Sequence, residues 1–391
     1  MDKAADSRNG PGTGLATLLA EPFADAFGSV TPPIVQSSLF TFDSYADFAA
    51  TLAGETDLPL YTRVQNPTVA AFESLMARAE KGEAAVGFAS GMAAISSTLL
   101  ALVRPGERVA CVEHVYPDAY RFFERLLRPF GVEVTYHPLR DLEAEPELLR
   151  GACLLYLESP NSVMMQTLNL ARVAEQARRH GTVTVVDNSW ATPVFQTPLD
   201  SGIDIVLHSA SKYLSGHSDT VAGVVVSSAA LIDRIRDLSL PLLGGKLAPF
   251  EAWLLIRGLR TLDARLRQHQ DSANFIIDRL AASPLVKRVH SPGPNAAPGL
   301  SGRSGLLSLE LDEKVDIPKL ADALTLFRLG VSWGGFESLI LPAQVALGQA
   351  GEHNSLQRFG VPPNLVRLSI GLERAEDLWA DFEAALDKSA A

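Results

Sequence analysis

The sequence predicts an α/β fold: a large domain built on a mostly parallel sheet, followed by a smaller α+β C-terminal domain. Three observations carry that expectation. From about residue 61 to 255, short apolar runs of strand length alternate with helix-length runs. The residues with chemical potential fall where those strand runs end, the edge at which open α/β sheets bind ligands. After Trp253 the texture changes to a long basic run, a Pro/Gly-rich stretch over 291–305 and further strand runs, which sets off residues 256–391 as a second domain.

In order, residues 1–60 read as an irregular arm containing Thr31-Pro32-Pro33. Residues 72–81 form an amphipathic helix, and 84–89 an apolar strand followed by a helix rich in Ala, Ile and Leu that opens at Ser90-Gly91-Met92. Strands are expected at 108–112 and 152–157 with a helix over 120–130 between them, then a helix at 170–180 and strands at 182–186 and 203–207. Beyond these come a helical run over 257–280, strands at 305–311 and 365–370, and helices at 316–328 and 375–386. Asp316 is placed to cap its helix, with Pro318 in the first turn.

Composition excludes several function classes. Hydrophobic residues make up 47% and charged residues 20% of the 391, the balance of a soluble globular chain large enough for two domains. A net charge of −11 argues against a nucleic-acid surface. No run approaches the roughly 20 apolar residues that span a membrane. Residues 1–14 lack the basic-then-apolar order of a secretory signal, so a cytoplasmic location is expected. Cys111 and Cys153 lie in apolar strand runs, expected as buried small hydrophobes, and their separation offers no metal-ligand spacing. No metal is expected, and no internal repeat is present.

The chemistry centres on Lys212, in Leu207-His208-Ser209-Ala210-Ser211-Lys212-Tyr213, and on Asp187, which closes the strand run Val183-Thr184-Val185-Val186-Asp187. A lysine that can form an imine, a carboxylate that can pair with a pyridinium nitrogen, and the hydroxyls of Ser209 and Ser211 form a set suited to pyridoxal phosphate. A carboxylate at the inner end of a buried strand needs a partner, because an unpaired buried charge is costly. Ser90-Gly91-Met92 places a glycine and a helix N-terminus where an anion could sit; taken alone, such a run is more often an ordinary strand-to-helix turn. Arg63, in Tyr61-Thr62-Arg63, could fork onto a phosphate or be a surface arginine. Tyr116 could stack on a flat ring or pack at a sheet edge. Arg367 stands among apolar neighbours in Leu365-Val366-Arg367-Leu368, so its counter-ion is either a substrate carboxylate or an internal carboxylate such as Glu310 or Glu373.

Taken together, Tyr61-Thr62-Arg63 with Asn66-Pro67-Thr68, Ser90-Gly91-Met92, Glu158-Ser159-Pro160, Asp187-Asn188-Ser189 and Ser209-Ala210-Ser211-Lys212-Tyr213 resemble the Cys/Met-metabolism group of pyridoxal-phosphate enzymes of fold type I. The resemblance runs from about residue 30 to the C-terminus. In the C-terminal half, Arg257-Gly258-Leu259-Arg260-Thr261-Leu262, Ser332-Trp333-Gly334-Gly335-Phe336-Glu337-Ser338-Leu339 and Arg367-Leu368-Ser369-Ile370-Gly371 are similar to the cystathionine β-lyases of that group. The resemblance implies that Lys212 carries pyridoxal 5′-phosphate and then serves as base at the substrate Cα. It implies that Asp187 pairs with the ring nitrogen, Tyr116 stacks on the ring and takes part in catalysis, and Gly91, Met92, Ser209 and Ser211 hold the phosphate. Tyr61 and Arg63 would reach the phosphate of a neighbouring subunit, making a homodimer the active unit within a homotetramer. Arg367, with Ser332 and Trp333, would take the α-carboxylate of an amino-acid substrate. The implied activity is β-elimination of cystathionine to homocysteine, pyruvate and ammonia, in trans-sulfuration and methionine biosynthesis. The alternative is γ-elimination or γ-replacement on the same scaffold. Val331, where γ-acting relatives commonly carry glutamate, leans toward β-elimination. Either Asn161 or Ser162 would lie near the ring hydroxyl, and Pro117-Asp118-Ala119-Tyr120-Arg121 matches no version of the group well.

Overall fold

The computed structural model describes residues 13–23 and 28–390; the first twelve positions of the polar N-terminal segment lie outside the described residues. Two sheets organise the chain. The larger has seven strands in the order β1-β7-β6-β5-β4-β2-β3. They are β1 (Ala84–Phe88), β2 (Arg108–Val112), β3 (Glu133–His137), β4 (Ala152–Glu158), β5 (Val183–Asp187), β6 (Ile205–His208) and β7 (Gly223–Ser227). Neighbours from β3 to β6 pair in parallel, while β7 runs antiparallel to both β6 and β1.

These strands are near-continuous runs of Val, Ile, Leu and Ala because both sheet faces are covered. One face buries Ile95, Leu99, Phe123, Val173 and Ile232; the other buries Phe72, Met76, Leu255 and Leu262. Two strands escape the sequence pattern for different reasons. β3 is an edge strand with one buried residue among five, so its hydrophobic signal is weak. β7 is buried throughout, but no helix separates it from β6, and the strand–helix alternation used to find the others does not apply.

The smaller sheet has five strands in the order β10-β11-β12-β9-β8. These are β8 (Val286–His290), β9 (Leu306–Leu311), β10 (Arg328–Leu329), β11 (Leu339–Pro342) and β12 (Leu365–Ser369). Its core joins Leu307, Leu309, Val366 and Leu368 to the helices Ile317–Ala323 and Ala375–Ser389.

Three expected helices are redrawn. The run over 257–280 is two helices, Pro249–Leu259 and Leu262–Ala282. Gly258 lies at the end of the first because the Lys212 loop presses on it: a Cβ there would sit 2.4 Å from the carbonyl oxygens of Leu214 and Ser215. The helix expected over 316–328 is capped as foreseen, Asp316 accepting from the Lys319 N–H at 3.1 Å, but it ends at Ala323, and Arg328 joins β10. The helix expected over 120–130 begins earlier, at Pro117, and widens to a π-turn over Phe123–Leu127. The arm also carries two short helices, Leu15–Leu19 and Tyr45–Leu52.

Candidate active site

Because β2, β4, β5 and β6 are parallel, their C-terminal ends open on one edge of the large sheet. Asp187 is the last residue of β5 and Glu158 the last of β4, and the two are register partners. Lys212 follows β6, and Tyr116 follows β2. A cavity of about 290 Å³ lies there, bounded by Gly91, Met92, Tyr116, Glu158, Ser162, Asp187, Ser209, Ser211, Lys212, Ser332 and Trp333, among others. Both sheets contribute to it: Ser332 and Trp333 come from the loop between β10 and β11.

The floor is acidic and buried. Asp187 is 8% exposed and Glu158 4%. Burial raises the Asp187 pKa, against the Ser189 hydrogen bond and the positive charge of Lys212, which favour the anion. Its carboxylate accepts the Ser189 N–H at 2.9 Å. Burial, followed by the Asp187 charge, raises Glu158 to about 7. Glu158 holds two pieces of backbone, accepting the N–H groups of Tyr116 and Ser162 at 2.7 Å each.

Lys212 reaches into the cavity from the loop between β6 and β7. Its Nζ donates to Ser332 Oγ at 2.5 Å and stands 5.3 Å from the centre of the Trp333 ring. Burial lowers its pKa to about 8, aided by the Arg367 charge and opposed by Asp187. The loop is fixed by its own turn, the Gly216 N–H donating to the Lys212 carbonyl at 2.8 Å.

The opposite wall is the first turn of the helix Gly91–Leu102. Ser90 caps it, accepting the Ala93 N–H at 3.0 Å. The N–H groups of Gly91 and Met92 have no intrahelical acceptor by position, so this turn presents donors to the cavity. Gly91 is needed for the approach of Ser209: a Cβ would lie 2.8 Å from both Ser209 Cβ and Oγ. Ser209 is anchored by its N–H to Ser189 Oγ at 2.7 Å. Ser211 lines the cavity, with its hydroxyl donating to the Ala222 carbonyl at 3.2 Å.

Arg367 lies on β12 behind Ser162. Its guanidinium donates to the carbonyls of Ser162 at 3.2 Å and Val331 at 2.8 Å, and among the described residues it hydrogen-bonds no carboxylate. Neither internal partner considered from the sequence takes it: Glu310 faces His290, and Glu373 accepts from Ser338. Burial pulls the Arg367 pKa down to about 10. Tyr61 and Arg63 do not line the cavity. They are exposed just beyond the arm, with the guanidinium carbon 5.4 Å from the tyrosine ring centre.

Sequence reasoning gave Glu158 no role. The available signal was a carboxylate ending an apolar strand, as Asp187 does. Of the two candidates near the ring hydroxyl, Ser162 faces the cavity, whereas Asn161 is fully buried and its Oδ1 accepts the Met164 N–H at 2.9 Å. Cys111 is buried as expected; Cys153 is partly exposed. Among the described residues no cluster of His, Cys, Asp or Glu has a metal-binding arrangement, and no helix is long and apolar enough to cross a membrane.

This donor set fits pyridoxal 5′-phosphate. A buried carboxylate without a cationic hydrogen-bond partner suits a protonated ring nitrogen, and a helix N-terminus with adjacent serines suits a phosphate. A lysine amine lies between them. Comparison with known proteins agrees. The sequence profile of the Cys/Met metabolism PLP-dependent enzymes matches residues 16–387. L-methionine gamma-lyase of Pseudomonas putida is 39% identical over 376 residues, 94% of each chain. Cystathionine beta-lyase of Coxiella burnetii is 36% identical over 340 residues, 83% of this chain and 87% of its own. The crystal structure of cystathionine gamma synthase from Xanthomonas oryzae pv. oryzae in complex with aminoacrylate and cysteine superposes with a TM-score of 0.88 at 35% identity, covering 96% of this chain and 98% of that one. The fold is therefore that of fold type I, the cofactor is pyridoxal 5′-phosphate, and the chain belongs to the Cys/Met-metabolism family of PLP-dependent enzymes.

Proposed function

We propose that the chain is a carbon–sulfur lyase that carries out β-elimination on L-cystathionine or a related β-substituted amino acid, releasing a thiol, pyruvate and ammonia. The observation that carries this reading is that, among the described residues, Lys212 is the one amine lining the cavity, and the lining pair Ser332-Trp333 is preceded by Val331 rather than by a carboxylate. β-Elimination removes one carbon-bound proton, at Cα. γ-Elimination also needs one removed at Cβ.

In this reading Lys212 would hold the cofactor, Asp187 would face its ring nitrogen, and Gly91, Met92, Ser209 and Ser211 would hold its phosphate. The bound cofactor supplies an electron sink for the charge left at Cα. Arg367, with Ser332 and Trp333, fixes the substrate α-carboxylate through charge-assisted donors. Released from the cofactor, Lys212 removes the Cα proton. A pKa near 8 leaves a substantial neutral fraction near neutral pH, and Ser332 orients the amine. Tyr116, whose pKa is raised by burial and by the Asp118 charge, keeps its proton and donates it to the departing sulfur. Glu158 fixes the backbone that carries Tyr116 and Ser162.

The exposed position of Tyr61 and Arg63 supports their service to a second subunit's phosphate, and with it a homodimeric active unit. The arm's exposed Val30, Leu39, Leu52 and Leu58 are apolar surface of the kind a subunit contact covers.

A second reading, γ-elimination to a longer 2-oxoacid, is favoured by the 39% identity to a methionine gamma-lyase. A panel of β- and γ-substituted amino acids, assayed for the 2-oxoacid released, tests both. Pyruvate from cystathionine supports the β-reading, and 2-oxobutanoate replaces it with the γ-reading.

A further inference from the structure

The segment after Tyr116 carries a connected polar chain. Tyr116 begins the helix Pro117–Phe122, so Asp118 folds back beneath it in the first turn. The Tyr116 hydroxyl donates to Asp118 Oδ2 at 2.9 Å. The other oxygen, Oδ1, pairs with Arg121 Nη1, and Arg121 Nη2 donates to Gln349 Oε1. Gln349 follows the helix Ala343–Leu347, so the chain ties the rim of the large sheet to the smaller sheet's side of the cavity.

The three partners differ in what they can do. Tyr116 lines the cavity, while Asp118 and Arg121 do not. Asp118 is half-exposed at 47% of its side-chain surface, so no packing requirement explains a carboxylate there. An acid in a first helical turn has a bland role in offsetting the helix dipole. That role requires neither a bond to the tyrosine hydroxyl nor an arginine closing the far side.

We propose that Asp118 is a positioning residue for Tyr116: it accepts the phenol hydrogen bond, holds the hydroxyl in place at the cavity wall, and is itself locked by Arg121. The inference rests on the reading of Tyr116 as proton donor to the leaving sulfur. In that step the hydroxyl turns its proton from Asp118 to the sulfur, the Tyr116 O–H bond breaks as an S–H bond forms, and the phenolate recovers a proton from solvent before the next turnover. The charges around the hydroxyl are Asp118 on its own helix, Glu158 on β4, Asp187 on β5 and Arg367 on β12. Burial is the largest influence holding the phenol in its protonated form, and Asp118 follows as the largest charge. Replacing Asp118 by a neutral isostere removes that charge and leaves the two floor carboxylates unchanged.

The test uses the holoenzyme with Asp118→Asn, Asp118→Glu, Tyr116→Phe and the Tyr116→Phe/Asp118→Asn double variant. Two readouts are followed against pH: kcat for thiol release, and the tyrosinate ultraviolet signal of each protein that retains Tyr116, minus that of the same protein carrying Tyr116→Phe. In Asp118→Asn the titration midpoint of Tyr116 falls by about one pH unit, the alkaline limb of kcat falls with it, and KM stays within about twofold. Asp118→Glu, which keeps the charge, restores much of both, and Asp118→Asn adds no further loss when Tyr116→Phe is already present. An unmoved Tyr116 midpoint, or an equal loss from Asp118→Asn with and without the tyrosine, overturns the proposal. Unchanged thiol release in Tyr116→Phe overturns the donor role of Tyr116 itself, and the proposal with it.

Discussion

The cavity has a floor and a mouth built on different principles. The floor is the parallel-strand edge of the large sheet: Asp187 and Glu158 are nearly inaccessible, and each is fixed by backbone N–H groups. The mouth is the first turn after Tyr116 on one side and Val331-Ser332-Trp333 on the other. Tyr116 is 38% and Val331 80% exposed. Charges in the floor act through a low local dielectric and cannot be moved without large cost. Apart from the buried Trp333, side chains at the mouth face solvent from loops and element ends, where related proteins in general vary most. In the proposed reading the floor fixes the reaction class and the mouth the bond to be broken; the relatives at 39% and 36% identity are named L-methionine gamma-lyase and cystathionine beta-lyase.

If this division holds, damage should grade from floor to mouth. The largest effect is expected of Lys212→Ala. Loss of the base alone lowers kcat by about 10²–10⁴-fold, and the visible absorbance of the lysine-bound cofactor disappears. Asp187→Ala follows, with kcat down about 10²–10³-fold and cofactor affinity, measured by equilibrium titration, weakened. Arg367→Met, behind Ser162, should act mainly on KM, raising it by about 10- to 100-fold, as expected for losing charge-assisted hydrogen bonds.

The pH dependence sharpens the same contrast. The base must be neutral to act, and burial and Arg367 both lower the Lys212 pKa, to about 8. The acidic limb of kcat therefore rises with pH through that region, and in Arg367→Met it should move to higher pH. A limb that stays fixed or moves down separates the base from Lys212. The smallest effect is expected at the mouth: Ser332→Ala removes the hydroxyl that orients Lys212 and should lower kcat by less than about tenfold. A loss as large as that of Asp187→Ala would erase the distinction between floor and mouth.

Legibility in the sequence follows the same line. Lys212, Asp187, Ser209 and Gly91 were readable because strand ends and helix starts leave local marks: an apolar run closed by one polar residue, a glycine before a helical pattern. The structure gathers all four around one cavity. Glu158 bore the same mark, and its register pairing with Asp187 became visible only with the sheet order. The antiparallel β7 was hidden because nothing in a Val-Val-Val run fixes strand direction. The break between Leu259 and Leu262 carries no proline or other strong local mark, and the approach of the Lys212 loop to Gly258 joins residues distant in sequence. The Tyr116–Asp118–Arg121–Gln349 chain joins residues more than two hundred positions apart and has no local signature.

The central claim, a lyase floor with a mouth set for β-cleavage, is tested most directly by the products formed from L-cystathionine by the purified, cofactor-loaded enzyme. Pyruvate and homocysteine released in equal amounts is the predicted result. Cysteine with 2-oxobutanoate, and no pyruvate, would contradict it.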